Sequence, residues 1–362
     1  MRKLGQTTGV VILKEMMESK KQIGKLEGIE MHIEEMLDMN FRGNIYIVQN
    51  GKVLYERENG FADLPNEIPN TLETKFASAS AGKVFVAVGI LQLIEQGRIK
   101  FDDTLGTLLD MPFHNIDKDV TVRQLLNHTS GVPDYFDESV MDEYEELWID
   151  YPNYKIRHNS DLLPLFLNKP MMYPKGEKFQ YNNAGYVLLA MIIEKVTGMY
   201  FDRYLKESIF DICGMKSTGY YELDRLPAKC ANNYIYCNDT NDYRTNIFSV
   251  DVKGTGAGGA FITVRDIIGF WMNLLEGKLI SKSFVSDMLR KQSGDGVDGY
   301  YGYGMWIMDN PNGKDFAYFE GCDPGVSFIS EYNPNHGIIS VLVSNYGDNV
   351  WREMRKIREV LY

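Results

Sequence analysis

A serine and a lysine stand three residues apart in the segment SASAGK, residues 78–83, where Ser80 precedes Lys83. On a helix, side chains three residues apart are neighbours, so this spacing places an amine beside a hydroxyl. Such a pair can activate a serine as a nucleophile. The same spacing also fits an ordinary helix start, in which Ser80 is a cap and Lys83 points outward to solvent.

The residues after this pair favour the chemical interpretation. The run VFVAVGILQLI, residues 84–94, predicts a helix that is apolar on all sides and therefore buried. A lysine at the start of such a helix is costly unless it is paired or used. Ser80 would lie near the N-terminus of this helix, where backbone N–H groups favour a developing negative charge.

A second candidate pair, Tyr181 and Asn183, directly precedes another apolar run, residues 184–198, which predicts a helix ending at Gly198. A phenol near an ammonium group can have its pKa lowered into the range of a proton shuttle. The Asn183 amide can accept a hydrogen bond from Lys83 and donate one to a substrate carbonyl. Taken alone, the two residues also fit a packing tyrosine and a turn asparagine.

The elements that must position these residues follow from hydrophobic patterning. Two β-rich runs flank Asn50-Gly51, a strong hairpin signal, and helices are predicted for residues 28–38 and 349–361. Helical patterns dominate from about 76 to 215, and short strands return near the end of the chain. We predict an α+β fold, in which an antiparallel sheet built from both chain ends has flanking helices and an inserted, mainly helical subdomain.

This arrangement gives a predicted domain organisation. Residues 1–27 form an N-terminal extension, residues 28–75 and 245–362 form the sheet subdomain, and residues 76–244 form the helical subdomain. The candidate active site lies between the last two, where small-molecule sites are common.

Composition narrows the function classes. The net charge of −12 over 362 residues disfavours binding to nucleic acid or to an anionic membrane surface. We expect no membrane span, and we expect a cytoplasmic protein because no signal peptide is recognisable, although export stays open. The five histidines and four cysteines show no metal-ligand spacing, so no cofactor or metal is expected.

Together these segments resemble the serine β-lactamase and penicillin-binding-protein superfamily, in its branch of class C β-lactamases, D-alanyl-D-alanine carboxypeptidases and family VIII esterases. The resemblance rests on the SASAGK and YNN segments, on VTVRQLLNHTSGVPDY at 120–135 and on AGGAFITVRDIIGF at 257–270. These segments follow one another in the family's order from about residue 40 to 345.

The resemblance implies roles for these residues. Ser80 would be the acyl-forming nucleophile, Lys83 its base or electrostatic partner, and Tyr181 the proton relay to the leaving group. Asn183 would orient Lys83 and the substrate. His128, in the segment NHTSG, is expected to be structural.

The chain departs from the family at its third motif, which usually reads Lys-Thr-Gly or His-x-Gly. Alignment on Gly325 places Phe319, Glu320 and Gly321 there, so the usual cation is absent. A cation at this place would attract a substrate carboxylate, whereas Glu320, if it faces the cleft, would repel one. Glu320 as an exposed strand carboxylate is the alternative.

The oxyanion hole of this family uses backbone N–H groups, which by resemblance are those of Ser80 and Cys322. Gly321 permits a close backbone approach, and Cys322 is expected to be a small side chain beside the site rather than a nucleophile. Phe319, Glu320, Gly321 and Cys322 are therefore the candidate substrate-binding residues together with Asn183.

The sequence thus predicts a serine hydrolase that forms an acyl-enzyme on Ser80 with a small-molecule or short-peptide ester or amide. We expect β-lactam hydrolysis to be weak, and a neutral substrate or one with a free amine to be preferred. The alternative is a catalytically weak penicillin-binding, sensor or ligand-binding protein on the same fold, which the missing cation would favour.

Overall fold

The computed structural model describes residues 28–297 and 299–362. The N-terminal extension predicted for residues 1–27 lies outside the described residues, as does the start of the chain on which the expected cytoplasmic location depends. That location stays a prediction.

The described strands, numbered along the chain, are β1 (Gly43–Gln49), β2 (Lys52–Asn59), β3 (Phe61–Asp63), β4 (Ile68–Pro69), β5 (Phe76–Ala77), β6 (Tyr234–Cys237), β7 (Asp242–Thr245), β8 (Phe261–Ile262), β9 (Ser293–Asp295), β10 (Gly299–Tyr301), β11 (Trp306–Met308), β12 (Phe316–Asp323), β13 (Val326–Asn333) and β14 (Ile338–Ser344). The described helices are α1 (28–36), α2 (Lys83–Glu95), α3 (Leu105–Leu108), α4 (Val122–Leu126), α5 (Leu163–Phe166), α6 (Asn183–Thr197), α7 (Phe201–Leu205), α8 (Asp211–Cys213), α9 (Val264–Glu276), α10 (Lys282–Met288) and α11 (Val350–Leu361).

Eight strands form one antiparallel sheet in the order β2-β1-β14-β13-β12-β11-β10-β9. The first and last of these strands along the chain are neighbours, since β1 pairs with β14 and places Asn44 opposite Val343. The predicted α+β fold, with a sheet built from both chain ends and flanked by helices, is confirmed. Sheet strand β12 also lies against the turn that carries Ser80.

The predicted hairpin at Asn50-Gly51 is confirmed. The two residues have φ values of 50° and 79° and join the antiparallel strands β1 and β2. A two-residue turn with positive φ at both positions matches the right-handed twist of the flanking strands, which explains the preference for asparagine and glycine here.

Helices cover both faces of the sheet. On one face, α9 packs against β1 and β14. On the other face, α1 and α11 bury one apolar cluster with the sheet, which includes Ile33, Ile45, Leu342, Met354 and Ile357. The predicted first and last helices are thereby confirmed, with bounds that differ from the expected ones by two residues or fewer.

The two apolar helices predicted beside the candidate site are also present. All residues of α2 from Lys83 to Leu93 are buried, and α2 packs against α6 and α7. Helix α6 ends at Gly198, whose φ of 73° is the left-handed conformation that glycine adopts without strain. The burial of α2 on all sides follows from its lack of a polar face.

The boundaries drawn at residues 75 and 245 stay predictions. Among the described residues, no single helix is long and apolar enough to span a bilayer. The segments Asn183–Thr197 and Phe201–Cys213 reach that length only together, and the chain bends by 77° between them.

A buried ion pair fixes α11 to the sheet and generates a stability prediction. Glu331 on β13 is 0% exposed, and Arg358 on α11 donates to its Oε2 from Nε at 2.9 Å. Replacing Arg358 with alanine would leave a buried carboxylate without its cation, so Arg358→Ala should lower the free energy of unfolding by about 3 kcal/mol. Urea denaturation measures this, with the exposed Arg355→Ala on the same helix as control. Equal stabilities of the two variants would contradict the assignment.

Candidate active site

The turn that carries Ser80 is held from behind by a glycine-rich segment. Strand β5 leads into a 3₁₀ turn, Ala79–Gly82, and α2 begins at Lys83. Ala79 has a φ of 46°, an uncommon conformation for a residue with a side chain, and its carbonyl accepts a hydrogen bond from Gly259 N at 2.9 Å. A Cβ on Gly258 would lie 2.3 Å from the Ala79 oxygen, so only glycine permits this approach. The strained turn directs Ser80 into a cavity.

The amine of Lys83 lies among three oxygen atoms. Lys83 is 1% exposed, and its Nζ is 2.9 Å from Ser80 Oγ and 2.8 Å from Asn183 Oδ1. The third contact is the carbonyl oxygen of Ala257. The alternative in which Lys83 points outward to solvent is thereby wrong, and the structure brings Ser80, Lys83 and Asn183 together.

The three contacts also set the direction of the lysine lone pair. The Ala257 carbonyl can only accept hydrogen bonds. The same holds for Asn183 Oδ1, and this oxygen faces Lys83 because the Asn183 amide nitrogen already donates to the Phe136 carbonyl. When Lys83 is neutral, its two N–H groups therefore satisfy these two oxygens. Among the described residues, the third hydrogen-bonding neighbour of Nζ is Ser80 Oγ, and this hydroxyl carries a proton. The lone pair thus faces the hydroxyl that a general base must deprotonate.

Burial also favours the neutral amine. Desolvation lowers the pKa of Lys83 to about 8, although the nearby negative charges of Glu138 and Asp134 oppose this shift. An amine with a pKa near 8 is partly neutral at physiological pH, so it can accept a proton there without a further partner.

Tyr181 stands beside this group as a neutral phenol. Its ring lies 4.9 Å from Lys83 Nζ and stacks on Trp306 at a centroid distance of 5.8 Å. Burial raises the pKa of Tyr181 well above its usual value, and the neighbouring Ser80 hydroxyl opposes this only in part. The expectation of a lowered tyrosine pKa was wrong, because burial is the largest effect on this phenol and raises its pKa. Tyr181 is therefore suited to donate a proton, and Lys83 is the better base.

Buried polar groups fix the start of α6 and with it Tyr181 and Asn183. The Asp134 carboxylate accepts from the backbone N–H groups of Asn183 at 2.6 Å and Ala184 at 3.0 Å. The Asn182 side chain caps the helix by accepting from Gly185 N at 2.7 Å. Carboxylate binding to the first N–H groups of a helix is favourable, because these groups have no partner within the helix.

His128 lies beneath Tyr181 and is neutral. Its ring centroid is 4.5 Å from that of Tyr181, and its Nδ1 accepts from Asn182 N at 3.1 Å. Burial lowers the pKa of His128 well below its usual value. These contacts agree with the expected structural role, since His128 supports the loop that presents Tyr181.

Strand β12 lies against the nucleophile turn at Gly321. A Cβ on Gly321 would lie 2.6 Å from Ser80 N, so the strand backbone reaches the amide predicted for the oxyanion hole. Cys322 follows and lines the cavity, where desolvation raises the pKa of its thiol to about 11. A protonated thiol is a poor nucleophile, in agreement with the role expected for Cys322.

The structure separates Phe319 from the other candidate residues. Phe319 is 3% exposed and packs against Trp271 and Phe270 of α9, in the core. It is not among the residues that line the cavity. The expectation that Phe319 contacts substrate is corrected accordingly: alternate residues of β12 face opposite sides of the sheet, and Phe319 faces α9.

Glu320 lines the cavity and is partly buried rather than an exposed strand residue. Its Oε2 accepts a hydrogen bond from the indole nitrogen of Trp351. Burial raises the pKa of the Glu320 carboxyl, and the Trp351 bond opposes that shift.

The cavity has a volume of about 760 Å³ and contains Ser80, Tyr181 and Asn183 in its lining. Its wall is strongly acidic, with lining carboxyl groups from Glu138, Asp142, Glu143, Glu145, Asp251, Glu320 and Asp323. The described residues contain no cluster of side chains that could hold a metal ion. The site can thus perform acyl transfer through a serine, an amine and a phenol.

Sequence reasoning missed five contributors to this site. Asp134 stands in the quoted segment 120–135, so a role for its carboxylate in capping a helix could have been suspected. The Ala257 carbonyl, as a backbone group, carries no sequence signal. Trp306 and the acidic wall residues Asp251 and Asp323 come from distant parts of the chain. Only the fold brings them to Tyr181 and Ser80.

Comparisons with known proteins agree with this geometry. The family model Beta-lactamase matches residues 33–361. Penicillin-binding protein 4* of Bacillus subtilis is 29% identical over 84% of this chain and 68% of its own length. Teichoic acid D-alanine hydrolase of Staphylococcus aureus is 25% identical over 91% of this chain and 76% of its own. The crystal structure of a penicillin-binding protein from Bacillus halodurans superposes with a TM-score of 0.86, at 37% identity, over 92% of this chain and 100% of that one. The resemblance found in the sequence is confirmed.

The contact between Asp134 and α6 predicts a positioning role. In Asp134→Asn one backbone N–H would face an amide nitrogen, so Tyr181 and Asn183 should shift and kcat/KM should fall about tenfold to a hundredfold. The Asp134 charge favours protonated Lys83. Its loss should therefore lower the lysine pKa and move the rise of activity to lower pH.

Steady-state pH profiles on an activated ester measure both effects, and the exposed Asp150→Asn is the control. A purely structural role would lower activity without moving the profile, and that result would contradict the assignment.

Proposed function

Because the chain belongs to the Beta-lactamase family and is a serine hydrolase of that family, we propose that it hydrolyses an ester or amide through an acyl-enzyme on Ser80. The observation that carries this proposal is the buried Lys83 amine, whose Nζ lies 2.9 Å from Ser80 Oγ.

Acylation begins with the neutral Lys83 amine. It takes the proton of Ser80 as Oγ attacks the substrate carbonyl carbon, and the carbonyl oxygen gains the negative charge. The backbone N–H groups of Ser80 and Cys322 stabilise this oxyanion, since the β12 backbone lies against Ser80 at Gly321. The tetrahedral centre then loses its alcohol or amine.

Tyr181 supplies the proton that the leaving group needs. Its raised pKa keeps the phenol protonated until the bond to the leaving group breaks. The proton that Lys83 holds then returns to Tyr181, so one proton has moved from Ser80 to the leaving group. Water releases the acyl group by the reverse sequence: Oγ regains a proton, and the carboxylic acid departs.

The acidic lining supports a substrate without a carboxylate near the reacting carbonyl. Penicillins carry such a carboxylate, and the Glu320 carboxylate, among others in the wall, would repel it. We therefore propose weak β-lactam hydrolysis and a preference for neutral or amine-bearing acyl groups. One relative is named a teichoic acid D-alanine hydrolase, which fits a small acyl group.

Covalent labelling tests the proposal directly. A fluorophosphonate should add once, on Ser80, and p-nitrophenyl acetate should be turned over with release of acetate. Ser80→Ala should abolish the label and lower turnover at least a thousandfold, because the covalent route is lost. Intact-mass spectrometry and p-nitrophenol release measure the two results.

Lys83→Met has a similar side-chain volume without the amine and is the matched control for the base. It should fold and slow labelling strongly. Stable acylation without release would favour a sensor instead of a hydrolase. Labelling that persists in Ser80→Ala would contradict the proposed nucleophile.

A further inference from the structure

The cavity that holds Ser80 has a second wall away from the nucleophile. This wall is formed by residues around β6, by the segment between β7 and β8, and by the turn between β12 and β13. Asp251 and Asp323 belong to it and line the same space as Ser80, Tyr181 and Asn183. A substrate attacked by Ser80 can therefore reach these two carboxyl groups within the same cavity.

The wall lacks a matching cation. Among the described residues that line the cavity, Arg244 carries the one guanidinium, and it forms an ion pair with Glu145 at 2.9 Å. In the described chain neither Asp251 nor Asp323 forms an ion pair. Asp251 accepts one hydrogen bond, from the Tyr144 hydroxyl at 3.1 Å. Carboxylates drawn out of bulk water are costly without a partner, so a bound cation would relieve the wall.

Asn233 supplies an independent observation. It lines the same cavity and is 4% exposed, and its Oδ1 has no hydrogen-bond partner within the described residues. An amide oxygen can only accept hydrogen bonds, and a buried acceptor without a donor is destabilising. A hydrogen-bond donor from outside the chain would therefore satisfy this oxygen, and a bound cation would satisfy the two carboxylates.

We propose that Asp251, Asp323 and Asn233 form a subsite for a primary ammonium group on the substrate whose carbonyl Ser80 attacks. This inference rests on the proposed function and names its substrate class: esters or amides of amino acids or short peptides with a free amine. A primary ammonium carries three N–H donors and matches three acceptors, whereas a quaternary ammonium has no donor for the Asn233 oxygen.

The protonation of the wall agrees with this assignment. Burial raises the pKa of Asp251 to about 7, and burial together with the Asp251 charge raises the pKa of Asp323 to about 8. Both shifts reflect carboxylates without enough counter-charge. An ammonium group bound between them would favour their ionised forms and be held by charge-assisted hydrogen bonds.

The test compares two substrates that differ only at the amine. Alanine p-nitroanilide has a free amine, and N-acetyl-alanine p-nitroanilide does not; both enantiomers are assayed. The measured quantity is the ratio of kcat/KM for the free-amine substrate to that for its acetylated partner. We expect a ratio of at least ten in the unmodified protein, because the acetylated substrate leaves the acidic wall without a cation.

Isosteric variants show whether the two wall carboxylates cause the preference for the free-amine substrate. Asp323→Asn and Asp251→Asn should each lower the ratio about tenfold, while the exposed Asp239→Asn, outside the cavity, should leave it within twofold. The ratio cancels general losses of activity, and fluorophosphonate labelling of Ser80 verifies that each variant is folded.

A ratio near one in the unmodified protein, or a ratio that both variants leave unchanged, would overturn the subsite. Failure of the proposed function is distinguishable, since it would remove Ser80 labelling and p-nitrophenyl acetate turnover, neither of which needs an amine.

Discussion

The whole site depends on the burial of one amine at the start of an apolar helix. Lys83 is enclosed because α2 has no polar face, and its Nζ can be satisfied only by the oxygens around it. Two of these oxygens can only accept, so the neutral amine turns its lone pair to Ser80. The same enclosure lowers the lysine pKa and raises that of Tyr181, which separates a base from a proton donor without any metal ligand set among the described residues.

Several elements of the fold hold the residues around the buried Lys83 amine in place. The sheet joins both chain ends, and β12 brings a glycine within van der Waals reach of the nucleophile's amide. The glycine-rich segment behind Ala79 holds the turn that presents Ser80, and Asp134 holds the start of α6. The acidic wall faces the same cavity, so the charge that disfavours an anionic substrate is also the charge that would hold an ammonium group.

Much of this arrangement could be predicted from the sequence, because local rules govern it. The Asn50-Gly51 turn, the buried α2 and the end of α6 at Gly198 each follow from a residue type at a fixed position. Phe319 could not be placed, because β12 carries apolar residues on both of its faces, so the alternation in the sequence gives no direction. The pKa of Tyr181 depends on burial by distant segments, and Asp251 and Asp323 meet only in the folded chain. Both features result from tertiary packing, which cannot be predicted from a short sequence pattern.

Titration of Lys83 tests most directly whether its buried amine is neutral and can act as the base. Selective ¹³C labelling at lysine Cε allows its titration to be followed by NMR, and Lys83→Arg assigns the signal. If Lys83 is the general base, the midpoint lies near pH 8, and the lysine signal changes while the protein stays folded. A midpoint near the ordinary lysine value of about 10.4 would rule out Lys83 as the base, since the amine would then stay charged and have no lone pair to offer Ser80.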